Sequence, residues 1–399
     1  MDNRTKEKNM KRRTVNLALL AMLSGLASMP AFAQEALRIG LVAPFSGPYA
    51  DYGRQMEAGI RTYMKQHGDK VAGRKVELLV RDTTGPSPEL SRRLSQELVA
   101  RDKVDFLAGY GFTPDALAAA PVAQQSKKPM VIMNAAGSVI TTKSDYITRV
   151  SMTIAQNSAP MATWALKNKI RRVVTVVGDY APGIDAETSF KTTFSRGGGE
   201  IVETIRVPLR SPDMAPYIQR VKDAKPDAVF LWVPSGEHSV SFMKNYSERG
   251  LAATGIRIIG TGDLTDEAML PALGDATLGA ITAFHYSAAH DTPENKAFVK
   301  LFQEVNPKVG QPNFMGVAGY DGMAAMAEVT KKLNGVIDGD KAMAVFRGMK
   351  LASPRGPLAI DLETRDVTQT VYIRKVEKVN GTLANVEFDK FVDVKDPGK

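Results

Sequence analysis

The sequence predicts an α/β protein built of two doubly wound parallel-sheet lobes. Short β-branched runs alternate with amphipathic helical segments, the pattern of a parallel sheet covered by helices. That alternation begins afresh near Val173 with the same layout, and 399 residues exceed what one core accommodates. The composition is 44% hydrophobic and 24% charged with no Cys. It excludes collagen-like, disordered and disulfide-stapled classes.

The elements follow in order. Leu37 to Val42 reads as a strand, Pro44 to Gly53 as a loop, and Gln55 to His67 as a helix with Met56, Ile60, Tyr63 and Met64 on one side. Val76 to Val80 is the second strand. A helix near Glu89 to Ala100, a strand from Asp105 to Ala108, a helix from Pro114 to Ser126 and a strand from Met130 to Met133 complete the first series. The second series runs through strand Val173 to Val177, loop Gly178 to Gly183, helix Ile184 to Ser195, strand Ile201 to Val207, helix Met214 to Asp223 and strand Ala228 to Val233. Gly197-Gly198-Gly199 follows a helix and precedes a strand, so it reads as a helix stop and not as a phosphate cradle. Ile256 to Ala283 adds two strands, and Asn295 to Asn334 is helical, with Phe298, Leu301 and Phe302 spaced for burial. From Gly356 the pattern turns to β, ending in a hairpin around Asn380-Gly381.

The first 33 residues have the parts of a secretory signal: basic residues ending in Lys11-Arg12-Arg13, an apolar stretch from Val15 to about Leu26, and Ala31-Phe32-Ala33 before Gln34. Cleavage is expected after Ala33, with the product in the periplasm. The apolar stretch falls short of the roughly 20 residues a membrane span needs, and without Cys there is no lipid attachment of the bacterial lipoprotein kind. Residues after Arg12-Arg13 fit a twin-arginine signal poorly, which favours general secretion. The chain's formal charge of +9 owes +4 to this segment. The remaining +5, spread without a basic run, gives no reason to expect nucleic acid as a partner.

Catalytic motifs are missing. There is no Gly-x-Ser-x-Gly elbow, no Cys nucleophile, no phosphate loop and no Gly-x-Gly-x-x-Gly opening a helix. His285, His290 and Asp291 match no usual zinc spacing and read as a solvated loop. No enzyme, cofactor or metal is expected.

What stands out is a set of small, hydroxyl and aromatic residues just after strand ends, where open parallel sheets bind ligands and helix N-termini offer free N–H groups. In the first lobe these are Ser46 to Gly53, Gly109-Tyr110-Gly111-Phe112-Thr113 and Asn134-Ala135-Ala136-Gly137-Ser138. In the second they are Asp179 to Gly183, Trp232-Val233-Pro234-Ser235 and Gly260-Thr261-Gly262-Asp263. Hydroxyls and backbone amides hold a carboxylate, and aromatics close over an apolar tail.

Together these residues resemble the periplasmic branched-chain amino-acid-binding proteins, the leucine-binding-like solute receptors of bacterial ABC importers. The resemblance runs from about Leu37 to Phe388. It is carried by Ile39-Gly40-Leu41, Ser46-Gly47-Pro48 and Tyr52-Gly53, by Asp179 to Gly183, and by Gly316 to Gly322 with Tyr320-Asp321-Gly322. It implies a type I periplasmic-binding-protein fold whose lobes are joined by three crossover segments. Residues 36–152 and 284–360 would form one lobe, and 153–283 with 361–399 the other.

By the resemblance, Tyr52 leans over the solute side chain, Thr113 and Gly137 or Ser138 hold its carboxylate, and Asp263 pairs an ammonium group. Pro182 stands where amino-acid-binding members carry Tyr, with Tyr180 two residues earlier as substitute. The family's first-lobe disulfide is absent, Thr84 and Gly111 or Phe112 occupying those neighbourhoods. The implied function is capture of a branched-chain or related amino acid by lobe closure and delivery to a membrane ABC permease by a monomer. Two alternatives stand beside it: an aromatic or aliphatic acid without an amino group, favoured by Pro182 and by Tyr49, Tyr52, Tyr110, Phe112, Trp232 and Tyr286, and a sensor subunit of a signalling system. The expected ligand-binding set is Tyr52, Phe112, Thr113, Asn134, Gly137, Ser138, Tyr180, Pro182, Trp232, Asp263, Tyr286 and Tyr320.

Overall fold

A computed structural model describes residues 35–209 and 213–399. The signal segment expected to end at Ala33 lies outside the described residues. Six strands form the first sheet: β1 (Leu37–Ala43), β2 (Lys70–Val71), β3 (Arg74–Asp82), β4 (Phe106–Gly109), β5 (Met130–Ile132) and β6 (Ile147–Arg149). Their order is β2-β3-β1-β4-β5-β6, parallel except for the β2–β3 pair. The order reverses at β1, which places a crevice at its carboxyl end.

The second sheet holds β7 (Arg172–Gly178), β8 (Glu200–Val207), β9 (Ala228–Trp232), β10 (Arg257–Thr261) and β11 (Ile281–Phe284) in the order β8-β7-β9-β10-β11. This repeats the β3-β1-β4-β5-β6 layout of the first sheet. Beyond β11 it continues antiparallel through β14 (Val367–Val379) and β13 (Leu358–Ile360) to β12 (Lys350–Leu351), while β15 (Thr382–Val394) pairs with β14. The fold is thus the expected pair of lobes, and the chain crosses between them three times: after β6, after β11 and before β12.

The helices are α1 (Ala50–His67), α2 (Pro88–Ala100), α3 (Thr113–Ser126), α4 (Ile154–Lys167), α5 (Ala181–Arg196), α6 (Ala215–Ala224), α7 (Glu237–Glu248), the short α8 (Leu270–Leu273), α9 (Pro293–Val305), α10 (Phe314–Lys332) and α11 (Gly339–Phe346). Three departures from the sequence reading have physical causes. Helix α1 starts at Ala50 and not at Gln55, because the Gly47–Tyr49 turn leads straight into it. The helical stretch expected from Asn295 to Asn334 is broken at Asn306-Pro307, and Asn313 restarts it by accepting from the N–H groups of Met315 (2.9 Å) and Gly316 (3.1 Å). Helix α4 was not expected: Pro160 lies inside it, which weakens its signal, and a Thr153–Gln156 capping box starts it.

Two features fix the geometry behind the cleft. Helix α10 packs on α1 at backbone distance, since a Cβ on Gly59 would fall 1.9 Å from the Gly316 carbonyl oxygen and one on Gly319 2.1 Å from that of Met56. At the crossovers, the buried Arg355 donates to Asp321 (2.8 Å) and to the Ser151 carbonyl (3.1 Å), and also to the Val150 carbonyl and Gln369. One guanidinium therefore ties together strands of chain from both lobes.

Asp115, in the first turn of α3, illustrates the cost of burying a carboxylate. One of its oxygens accepts from the Ser87 N–H at 2.8 Å, and the other is buried without a partner. Burial pushes its pKa up to about 7, against the Ser87 hydrogen bond, which lowers it. The folded value lies above the unfolded value of about 3.9, so this group's contribution is full below about pH 4 and is lost as pH rises through 7. Asp115→Asn is expected to remove that slope and to be more stable than the parent at pH 8. Urea midpoints at pH 5 and 8 check it, and an unchanged difference between the two midpoints would sink the assignment.

Candidate functional site

The carboxyl ends of both sheets face a narrow cavity of about 20 Å³, lined from both lobes. Helix α1 supplies Tyr52. The β4–α3 connection supplies Gly111 and Phe112, with Thr113 opening α3. The segment after β5 brings Asn134 and Ala136, and Met152 lies on the first crossover. From the second lobe come Tyr180 and Pro182 at the start of α5, Trp232 and Pro234 at the end of β9, and Asp263 after β10.

Rings form both walls. Tyr52 stacks on Phe112 with centroids 5.3 Å apart, and Tyr49 meets the two edge-on. Opposite them Tyr180 lies 5.5 Å from Trp232. Burial holds the phenols of Tyr52 and Tyr180 well above their ordinary pKa, so both stay neutral. The lobes touch around the cavity: the Tyr52 hydroxyl donates to the Ser235 carbonyl (3.2 Å), Asn313 donates to Asp266 (3.2 Å), and the Ser138 N–H donates to Asp185 (3.1 Å).

Asp263 carries the acidic chemistry. Thr261 donates to its Oδ2 at 2.7 Å. Burial pushes its carboxyl up to about 6, Asp266 adds to the rise, and hydrogen bonding from Thr261 opposes it. Behind the Gly262–Asp263 turn the fully buried Arg374 donates to Glu267 (3.2 Å) and Thr282 (3.2 Å) and to the Tyr286 carbonyl, with the Gly262 carbonyl at 3.5 Å. Thr113 Oγ1 accepts from the Gly137 N–H at 3.1 Å. Asn134 donates to the Gly111 carbonyl at 2.8 Å and keeps a buried Oδ1 without a partner. Among the described residues, no Lys, Arg or His lines the cavity.

Of the expected set, Tyr52, Phe112, Thr113, Asn134, Tyr180, Pro182, Trp232 and Asp263 meet here. Gly137 sits behind Thr113, where a Cβ would come 2.7 Å from its methyl. Ser138 faces Asp185 and Gly398 at the rim, not the cavity. Tyr286 is buried beside Arg374, and Tyr320 lies on the far side of α1, with its hydroxyl 3.0 Å from Gln66 and 3.2 Å from His67. Tyr110 turns into the core toward Ser95 (2.9 Å). The expected solvated loop at His285 and His290 is also corrected: His285 is buried between Phe284 and Phe314, and His290 meets Glu387 at 2.6 Å.

Gly111, Ala136 and Pro234 belong to loops whose neighbours were singled out, but small or cyclic residues announce no chemistry by themselves. Met152 has a signal only in its position at a crossover. The lobe-bridging Ser235, Asp266 and Asn313 depend on contacts across sequence separations that no local pattern reveals.

A family model described as periplasmic binding protein matches residues 36–382. The chain is 44% identical over 390 residues to a Leu/Ile/Val-binding protein homolog 6 of Brucella melitensis, covering 97% of this chain and 99% of that one. Among solved structures, it is 50% identical to a solute-binding protein of an ABC transporter from Rhodopseudomonas palustris BisB5 in complex with 3,4-dihydroxybenzoic acid (TM-score 0.88, 92% of this chain and 99% of that one). A solute-binding protein of an ABC transporter from Rhodopseudomonas palustris HaA2 in complex with p-hydroxybenzoic acid is 44% identical (TM-score 0.89, 91% and 99%).

Proposed function

Because the chain belongs to the periplasmic binding protein family, as a solute-binding protein of an ABC transporter and not an enzyme, we propose that its cleft captures a small aromatic carboxylate. The carrying observation is the pair of ring walls, Tyr52–Phe112 on one lobe and Tyr180–Trp232 on the other, facing each other across the narrow cleft. Flat rings offset or edge-on to a third ring are a favourable packing that a branched aliphatic chain does not exploit. The benzoates bound by the two similar solute-binding proteins support the same reading. In this assignment the Thr113 hydroxyl and the free N–H groups opening α3 receive the carboxylate. Family membership implies an extracytoplasmic location. The finer proposal is the periplasm, after cleavage behind Ala33, with a monomer delivering its load to a membrane permease.

A second reading, a branched-chain amino acid, is favoured by the acidic Asp263 and by the name of the Brucella relative. Calorimetric titration with benzoate, 4-hydroxybenzoate and leucine separates the two. Micromolar or tighter binding of an aromatic acid with no heat from leucine is expected, whereas leucine binding with silent benzoates overturns the proposal. The proposed lobes, 36–152 with 284–360 and 153–283 with 361–399, are expected to close on the solute about the crossovers near Ser151 to Asn157 and Phe284 to Ser287. β12 and β13 pair into the second sheet although they fall before 361, so the third crossover bends along a shared edge. Small-angle scattering should show a smaller radius of gyration with saturating ligand, and an unchanged radius removes the closure claim.

A further inference from the structure

A groove on the first lobe, sharing no lining residue with the cleft, holds about 580 Å³ against about 20 Å³ in the cleft. That volume is within the range of small-molecule sites. Three rings from three helices line it: Tyr63 of α1, Phe298 of α9 and Tyr320 of α10. Tyr320 meets each of the other two edge-on, with centroids 5.2 Å apart and planes at 71°. Its hydroxyl is tied back to Gln66 at 3.0 Å and lies 3.2 Å from His67, so the rings are set before any ligand arrives.

Two carboxylates line the same groove, the exposed Glu294 in the first turn of α9 and the half-exposed Glu328 on α10. Among the described residues Glu294 has no cationic partner, and Glu328 has only the exposed Lys332 at 3.8 Å. No Lys or Arg lines the groove among those residues. His67 is held below its ordinary pKa by burial and by Lys331, so it is neutral above about pH 7. The Tyr63 hydroxyl is pushed up by burial and by the Glu328 carboxylate that shares its groove.

We propose that this groove is a second binding site, for an organic cation with an apolar or aromatic body. Aromatic rings attract a cation over their faces, and more strongly where it is desolvated. Apolar wall residues such as Ala297 and Ala324 receive the body, and the two carboxylates offset the charge. A carboxylate solute of the kind proposed for the cleft meets like charges here. The two sites therefore select opposite ligands, and this one does not depend on which solute the cleft takes.

The test is calorimetric titration of the mature chain with benzyltrimethylammonium, and with benzyl alcohol as its uncharged comparison, at about pH 7.5. The cation should bind with a Kd of about 1 mM or tighter, and about fivefold or more tightly than the alcohol. The double variant Glu294→Gln with Glu328→Gln should bring the two probes to within about twofold of each other. Ala297→Trp, which fills the groove from an exposed position, should abolish binding of the cation. The cleft also offers rings and an acid, Asp263, so these variants locate the site. A parent that does not bind the cation, a parent that binds both probes alike, or a preference for the cation that survives in the double variant overturns the proposal. Binding unchanged in Ala297→Trp overturns it equally. If Ala297→Trp does not fold by circular dichroism, the double variant, which changes only surface carboxylates, decides.

Discussion

Arg374→Met is expected to destabilise the folded chain by about 3–5 kcal/mol, the usual cost of removing one partner from a buried ion pair. Arg374 is fully buried, and its guanidinium serves Glu267, Thr282 and the Tyr286 carbonyl while lying 5.0 Å over the Phe284 ring. Methionine fills part of the volume but leaves Glu267 buried without its counter-charge. Even with Arg374 present, burial pushes Glu267 up to about 7, and Arg374 is what holds it down. Without the arginine the folded-state value rises further, so Glu267 is neutral at pH 5 and costly at pH 8. The loss should accordingly be larger at pH 8 than at pH 5. Urea denaturation at the two pH values measures both, and the double variant Arg374→Met with Glu267→Leu should recover much of the loss. A single variant within about 0.5 kcal/mol of the parent at pH 8 would show that the pair contributes little.

Gly319→Leu is expected to cost about 3 kcal/mol or more, at the upper end for overpacking, because the obstacle is backbone and not a side chain that can swing aside. The Cβ alone would stand 2.1 Å from the Met56 carbonyl oxygen, and Gly59 makes the reciprocal approach to Gly316. Relief requires α10 to move away from α1, the helix that carries Tyr52 into the cleft. Circular dichroism melts and urea midpoints report the loss, and a variant as stable as its parent would mean that the helices separate at no cost.

That contact bears on what the sequence made legible. Gly316 to Gly322 marks the family, yet its glycines serve helix packing, and Tyr320 within it faces His67 on the far side of α1. A motif identifies a lineage without saying which of its residues touch the solute. Tyr286 misled for a related reason, since an aromatic just beyond β11 is as well placed to be buried by Arg374 as to line a cleft. Phe112, Thr113, Trp232 and Asp263, read from their places beyond strand ends, line the cavity because periodicity locates strand ends well. What it could not supply was the direction of each side chain, as Tyr110 shows by turning to Ser95 while the adjacent Gly111 and Phe112 line the cavity.

The return of α10 to pack on α1 also orders events during synthesis. All six strands of the first sheet exist once Arg149 has been made, but the helix that covers α1 is not complete until Lys332. Until α9 and then α10 are made, the chain therefore carries a hydrogen-bonded sheet beside a helix whose outer face neither of them yet covers. A nascent chain arrested before Phe314 is a natural client for a holding chaperone, because bare apolar surface on a partly formed lobe is what such chaperones bind and what other nascent chains adhere to.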